Sequence, residues 1–162
     1  MYDARSVANA VLERAWEVGR ELTNLDLQKI VYFMHGHFLV EHGEPLIKTE
    51  FEAWDYGPVQ STLYHALKRY GREPVEEPII GFDPVRRQPR AIPLVNDPRA
   101  IEVFDRHLDR YMHLPASVLV DITHAGGTPW STTRDESENA INIGMKISDS
   151  LIQKRFEGLV QA

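Results

Sequence analysis

Between Leu25 and His42 the residues Leu27, Ile30, Val31, Tyr32, Phe33, Met34, Phe38, Leu39 and Val40 cover most of a helical circumference with apolar side chains. A helix without a polar stripe cannot face water on any side and has to be wrapped by the rest of its chain. The fold is therefore constrained to elements arranged around one buried helix. Thr23, three residues before Asp26, forms a capping-box pattern at its start, and Leu22 and Leu27 stand at the positions of a hydrophobic staple. Gly43 supplies a C-terminal stop and Pro45 blocks continuation.

The wrapping elements are readable on both sides. Val7, Val11, Ala15, Val18 and Leu22 recur at helical spacing and predict a helix from about Ser6 to Leu22. Leu46 to Trp54 reads as extended. Pro58 suits a first helical position, so Val59, Leu63, Leu67 and Tyr70 predict a helix from Gly57-Pro58 to Gly71. The six prolines from Pro74 to Pro98 exclude a helix between Arg72 and Pro98 and leave a loop with edge-strand fragments. Ile79-Ile80 and Ala91 to Val95 are the fragments, expected to pair with the segment around Phe51. Asn96 or Asp97 caps a further helix whose stripe is Ile101, Phe104, Leu108 and Tyr111-Met112. Pro115 opens another with Val118, Leu119 and Ile122 inward, ended by Gly126-Gly127. Thr128-Pro129-Trp130 predicts a short capped turn before an exposed polar run, Ser131 to Asn139. Ile141, Ile143 and Met145 to Ile147 read as extended, and Ser148 caps a last helix burying Leu151, Ile152, Phe156 and Leu159. The expected architecture is a single domain over residues 1–162, α+β in class, helix-dominated with a small β-sheet.

Composition removes several classes of function. With 162 residues, 43% hydrophobic and 26% charged, the chain has the make-up of a globular domain that needs no disulfide or metal for stability. It has no cysteine, which excludes thiol nucleophiles, disulfide frameworks and cysteine-bound metal. Met1 to Ser6 lack the basic start and apolar stretch of a secretory leader, and no run approaches the about 18 apolar residues of a membrane helix. The expectation is a cytoplasmic protein with no membrane partner. Eighteen basic against 24 acidic residues give a net charge of −6, which disfavours nucleic acid as a ligand.

No constellation of catalytic residues stands out. His35 and His37 point about 200° apart on a helix and cannot share one ion, so no metal is expected and a buried hydrogen bond is the better role for either. His124, near Asp121, Ser117 and Ser131, lacks any nucleophile-elbow pattern, and bonding terminal carbonyls of its helix suffices to explain it. Gly126-Gly127-Thr128-Pro129 lacks the lysine and the glycine spacing of phosphate loops, so no cofactor is expected and the chain does not read as an enzyme.

Two groups suit a partner surface. Trp54 and Tyr56, placed by strand alternation on one face, form with Trp130 and the nearby Tyr64 an aromatic group able to anchor an interface, with core packing the competing explanation. Arg86, Arg87, Arg90 and Arg99 lie on the proline-rich loop, their field reduced by Asp83 and Asp97, and suit phosphates or an acidic protein surface. The candidate partner-binding residues are thus Trp54, Tyr56, Arg86, Arg87, Arg90 and Trp130.

The series Leu22-Thr23-Asn24-Leu25-Asp26-Leu27-Gln28-Lys29-Ile30-Val31-Tyr32, His35-Gly36, Gly43-Glu44-Pro45-Leu46, Phe51 to Val59 and Tyr64 resembles the Panacea antitoxin domain, also called SocA-like. Thr123-His124 and Pro129-Trp130 resemble its C-terminal half, extending the likeness to about Val7 through Phe156. The resemblance implies a prokaryotic or phage-borne, non-enzymatic antitoxin that neutralises a toxin encoded beside it by direct protein–protein binding. It also implies a role as proteolytic adaptor delivering that toxin to a Clp-type protease. The alternative is a DNA-binding or phage regulatory protein using the Arg86–Arg99 loop.

Overall fold

A computed structural model describes residues 1–137 and 144–160. In chain order the elements are α1 (Ala4–Glu17), α2 (Asn24–His42), β1 (Phe51–Trp54), β2 (Gly57–Val59), α3 (Ser61–Leu67), β3 (Ile80–Asp83), β4 (Gln88–Ala91), α4 (Pro98–Met112), α5 (Ala116–His124), α6 (Pro129–Glu136), β5 (Lys146–Ile147) and α7 (Asp149–Val160). The architecture is helix-dominated α+β, as expected.

α2 is the axis of the molecule. Every residue from Asp26 to Leu39 is buried, and α1, α3, α4, α5, α7 and β2 all lie against it. The Thr23 side chain accepts from the Asp26 amide while Asp26 returns the bond to the Thr23 amide, and Gly43 ends the helix in the left-handed conformation at φ 66°. An aromatic cluster fills the interior: Tyr32 meets Phe51 and Phe156 edge-on, and Phe33 stacks on Tyr111 at 4.2 Å.

Several boundaries differ from expectation for identifiable reasons. α1 starts at Ala4 because the Asp3 carboxylate caps it, and it stops at Glu17, leaving Val18 58% exposed while Leu22 is buried from a loop. Leu46 to Glu50 is outside any strand; Ile47 only bridges Tyr2. Pro58 opens no helix. It lies in β2, opposite Ala53, on the outer edge of the antiparallel order β2-β1-β5, where a missing N–H breaks no ladder bond. α3 then starts at Ser61.

Phe51 pairs with Ile147 of β5, so the proline-rich segment is not in its sheet. β3 and β4 instead form a separate two-stranded ribbon, with Ile79 and Ile92 to Val95 outside it. On α5 the inward residues are Leu119 and Thr123; Val118 and Ile122 reach the surface, and the Thr123 hydroxyl satisfies itself on the Val120 carbonyl. Thr128 and Pro129 begin a full helix rather than a turn. Within it Ser131 to Arg134 are half-buried, which corrects the exposed polar run as far as the described residues go. The part of that run beyond residue 137, Ile141, Ile143 and the side chain of Leu159 lie outside them.

His35 and His37 of α2 both make buried hydrogen bonds. His35 Nδ1 accepts from the Ile47 amide, which leaves Nε2 to donate to Asp149 Oδ1 at 2.8 Å and ties α7 to α2. His37 Nε2 meets the Tyr111 hydroxyl at 2.8 Å, and its ring stacks on His107 at 3.8 Å. Burial, then the neighbouring His107 and Arg110, push the His37 pKa down to about 3. The folded protein therefore refuses a proton that the unfolded chain accepts below pH about 6.5, and stability falls with acidification between those values. From pH 7 to pH 5 this one ring should cost about 2 kcal/mol, read as a lower urea midpoint. His37→Gln, which cannot titrate, should flatten that slope; an unchanged slope would refute the assignment.

Candidate partner-binding site

The β1–β2 hairpin stands over the first half of α2, closed by the two-residue turn Asp55-Tyr56. Gly57 follows at φ 104°, a conformation that favours glycine, and a Cβ there would approach Thr123 Oγ1 to 2.9 Å and the Lys29 side chain to 3.0 Å. Beneath it Lys29 is wholly buried and donates from Nζ to the Pro58 carbonyl at 3.0 Å. Burial brings the Lys29 pKa down to about 7. Burial, together with the Lys29 charge, also holds His124 below its ordinary value. The sequence signal for this arrangement is a lone lysine inside an otherwise apolar helix.

The aromatic residues separate into different roles. Trp54 closes β1, half-buried, with its ring 4.9 Å from that of Tyr64. Tyr56 is in the turn rather than on the strand and is 72% exposed, so alternation does not place it beside Trp54. Trp130 is a brace. Its indole N–H donates to the Trp54 carbonyl at 2.6 Å, one face stacks on His124 at 3.9 Å, and the Arg134 guanidinium lies 5.3 Å from the ring centre. Arg134 continues to the Ala53 carbonyl and pairs with Asp55, which fixes the hairpin from the α6 side.

The arginines also divide. Arg86 and Arg87 occupy the four-residue turn of the β3–β4 ribbon and Arg90 lies on β4, all exposed and without an ion pair among the described residues. Asp83 Oδ1 accepts from the Val85 and Arg86 amides and shapes the turn, while Arg87 takes φ 52°. Arg99 is not part of this group: it sits in α4, pairs with Asp97 and Glu44, and covers Phe38. The ribbon also exposes Ile80, Phe82 and Val85, the last at 90%; its register puts Ile80 and Phe82 on the face opposite Arg90. It presents a cationic, apolar protrusion on an acidic protein.

A family profile described as "Antitoxin SocA-like, Panacea domain" matches residues 27–131. "Antitoxin SocA" of Caulobacter vibrioides (strain NA1000 / CB15N) is 34% identical over 154 residues, covering 95% of this chain and 82% of its own length. No solved structure matches the chain.

Proposed function

The chain belongs to the antitoxin SocA-like family that carries the Panacea domain, and on that premise we propose that it neutralises a cognate toxin by binding it directly. The observation that supports a binding mode is the β3–β4 ribbon, which exposes Arg86 and Arg87 with Val85 in its turn, Arg90 on one face and Ile80 and Phe82 on the other. Apolar side chains as exposed as these add little stability to a two-stranded ribbon. They suit instead a partner with an acidic rim around an apolar recess, where the charges steer encounter and the side chains are buried on docking. Binding of this kind requires surfaces and no catalytic group. Residues Trp54 and Tyr56 remain candidates for a second contact, while Trp130 serves it by holding the hairpin.

Co-expression with the product of the neighbouring gene tests the reading by growth rescue and co-purification. The reversal of Arg86, Arg87 and Arg90 to Glu should abolish both, lowering affinity about 100-fold through like-charge contact, while the melting temperature stays that of the wild type. A harmless neighbouring product, or a toxin that stays active and unbound beside the wild-type protein, would refute it. Delivery of the toxin to a Clp-type protease adds a separate expectation: toxin half-life shortens with this protein present and recovers when the protease is removed. A promoter bound in a salt-sensitive manner through the same arginines would instead favour the DNA-binding alternative.

A further inference from the structure

We propose that the groove between the start of α2, the β1–β2 hairpin and α3 is a docking site for a short linear peptide of a partner protein, one presenting an aromatic or large aliphatic side chain beside a carboxylate. The groove is an open recess of about 520 Å³, separate from the arginine ribbon. Leu25, Trp54, Tyr56, Val59 and Tyr64 give it a mainly apolar, aromatic lining. Arg72 is the one charged residue that lines it, in a molecule whose net charge is −6.

The floor and the rim are already fixed. Gln28 spends its side chain on Asn24 Oδ1 and the Gln60 amide, and the Trp54 backbone is held by Trp130. An occupant would therefore order few protein side chains on binding, which favours affinity for a small ligand. The polarity of the occupant follows from Arg72, which lines the recess, is exposed and has no ion pair among the described residues. A carboxylate pairs with it, and a flat ring or a branched chain packs on the aromatic wall that Trp54 and Tyr64 form together, their rings 4.9 Å apart. The inference stands on the chemistry of the groove and survives failure of the antitoxin reading.

The test is selection of a phage-displayed random 12-residue library on the immobilised full chain, followed by fluorescence anisotropy of the enriched sequences as synthetic peptides. The expected peptides carry Asp or Glu within a few residues of an aromatic or large aliphatic residue. Trp54→Ala and Arg72→Glu should each weaken them at least tenfold, whereas Arg86→Glu leaves them unchanged. A peptide with its carboxylate converted to the amide should lose affinity and become indifferent to Arg72→Glu. Arg72 is exposed, so its reversal leaves the fold intact, checked by circular dichroism. No enrichment, basic sequences, or binding unmoved by both variants would overturn the proposal. A concentration-dependent dimer that Trp54→Ala abolishes would assign the groove to a second copy of this chain and would overturn it as well.

Discussion

Gly36→Ala is expected to destabilise the protein by about 2–4 kcal/mol, although in an isolated helix the same change would be favourable. A Cβ on Gly36 would lie 2.2 to 2.5 Å from three carbons of the Phe156 ring, which presses α7 directly onto the backbone of α2. The ring has no free direction in which to retreat: Tyr32 meets it edge-on at 5.5 Å, His37 at 5.7 Å, and Phe33 at 6.1 Å. Alanine gains about 1 kcal/mol of helix propensity over glycine, whereas unseating a buried phenylalanine costs about 3–5 kcal/mol. Packing therefore wins. Urea unfolding should show a lower midpoint for Gly36→Ala. The double variant with Phe156→Leu should be more stable than Gly36→Ala alone, even though Phe156→Leu alone destabilises the wild type. A Gly36→Ala variant within about 0.5 kcal/mol of wild type would mean that α7 does not pack as described.

Gly36 also marks where sequence reasoning was strong and where it stopped. The all-round apolar pattern identified α2 as the buried axis, and the Thr23–Asp26 box and Gly43 marked its ends, because caps and periodicity are local properties. What surrounds the axis is set by long-range packing. Nothing local distinguishes Pro58 on a sheet edge from Pro58 at a helix start, so β2 was hidden and α3 began too early. The pairing of Phe51 with Ile147 rather than with the proline-rich segment is likewise a choice between distant partners. Val118 and Ile122 are expected inside because they are apolar, yet α5 packs with Leu119 and Thr123 inward. The candidate partner residues were legible by type. Only the structure separated Trp130 and Arg99, which hold the fold, from Tyr56 and the ribbon arginines, which face water.

Lys29→Met should reverse the sign of its effect with pH, stabilising the protein near neutrality and destabilising it near pH 10. Pro58 contributes no N–H to its strand, and its carbonyl is turned toward α2, away from water, so it needs a donor that only a long side chain from α2 can bring. Lys29 provides that donor at the cost of burying an ammonium. With a pKa of about 7 in the folded protein against an ordinary 10.5, the native state releases a proton that the unfolded chain keeps until higher pH. Stability therefore rises with pH between those two values. The burial penalty is on the order of 4 kcal/mol at pH 7 and about 1 kcal/mol at pH 10. Methionine fills similar space without charge but leaves the Pro58 carbonyl unpaired, a loss of about 1–3 kcal/mol at any pH. The variant should thus gain about 1–3 kcal/mol at pH 7 and lose about 1 kcal/mol at pH 10, read from urea midpoints at both values. Equal destabilisation at the two pH values would show that Lys29 keeps its proton and that the hairpin rests on a stronger contact than one amine-to-carbonyl bond. The expected reversal would mean that this chain tolerates an unfavourable buried base so that β2 stays seated on α2, holding Trp54 and Val59 at the rim of the groove.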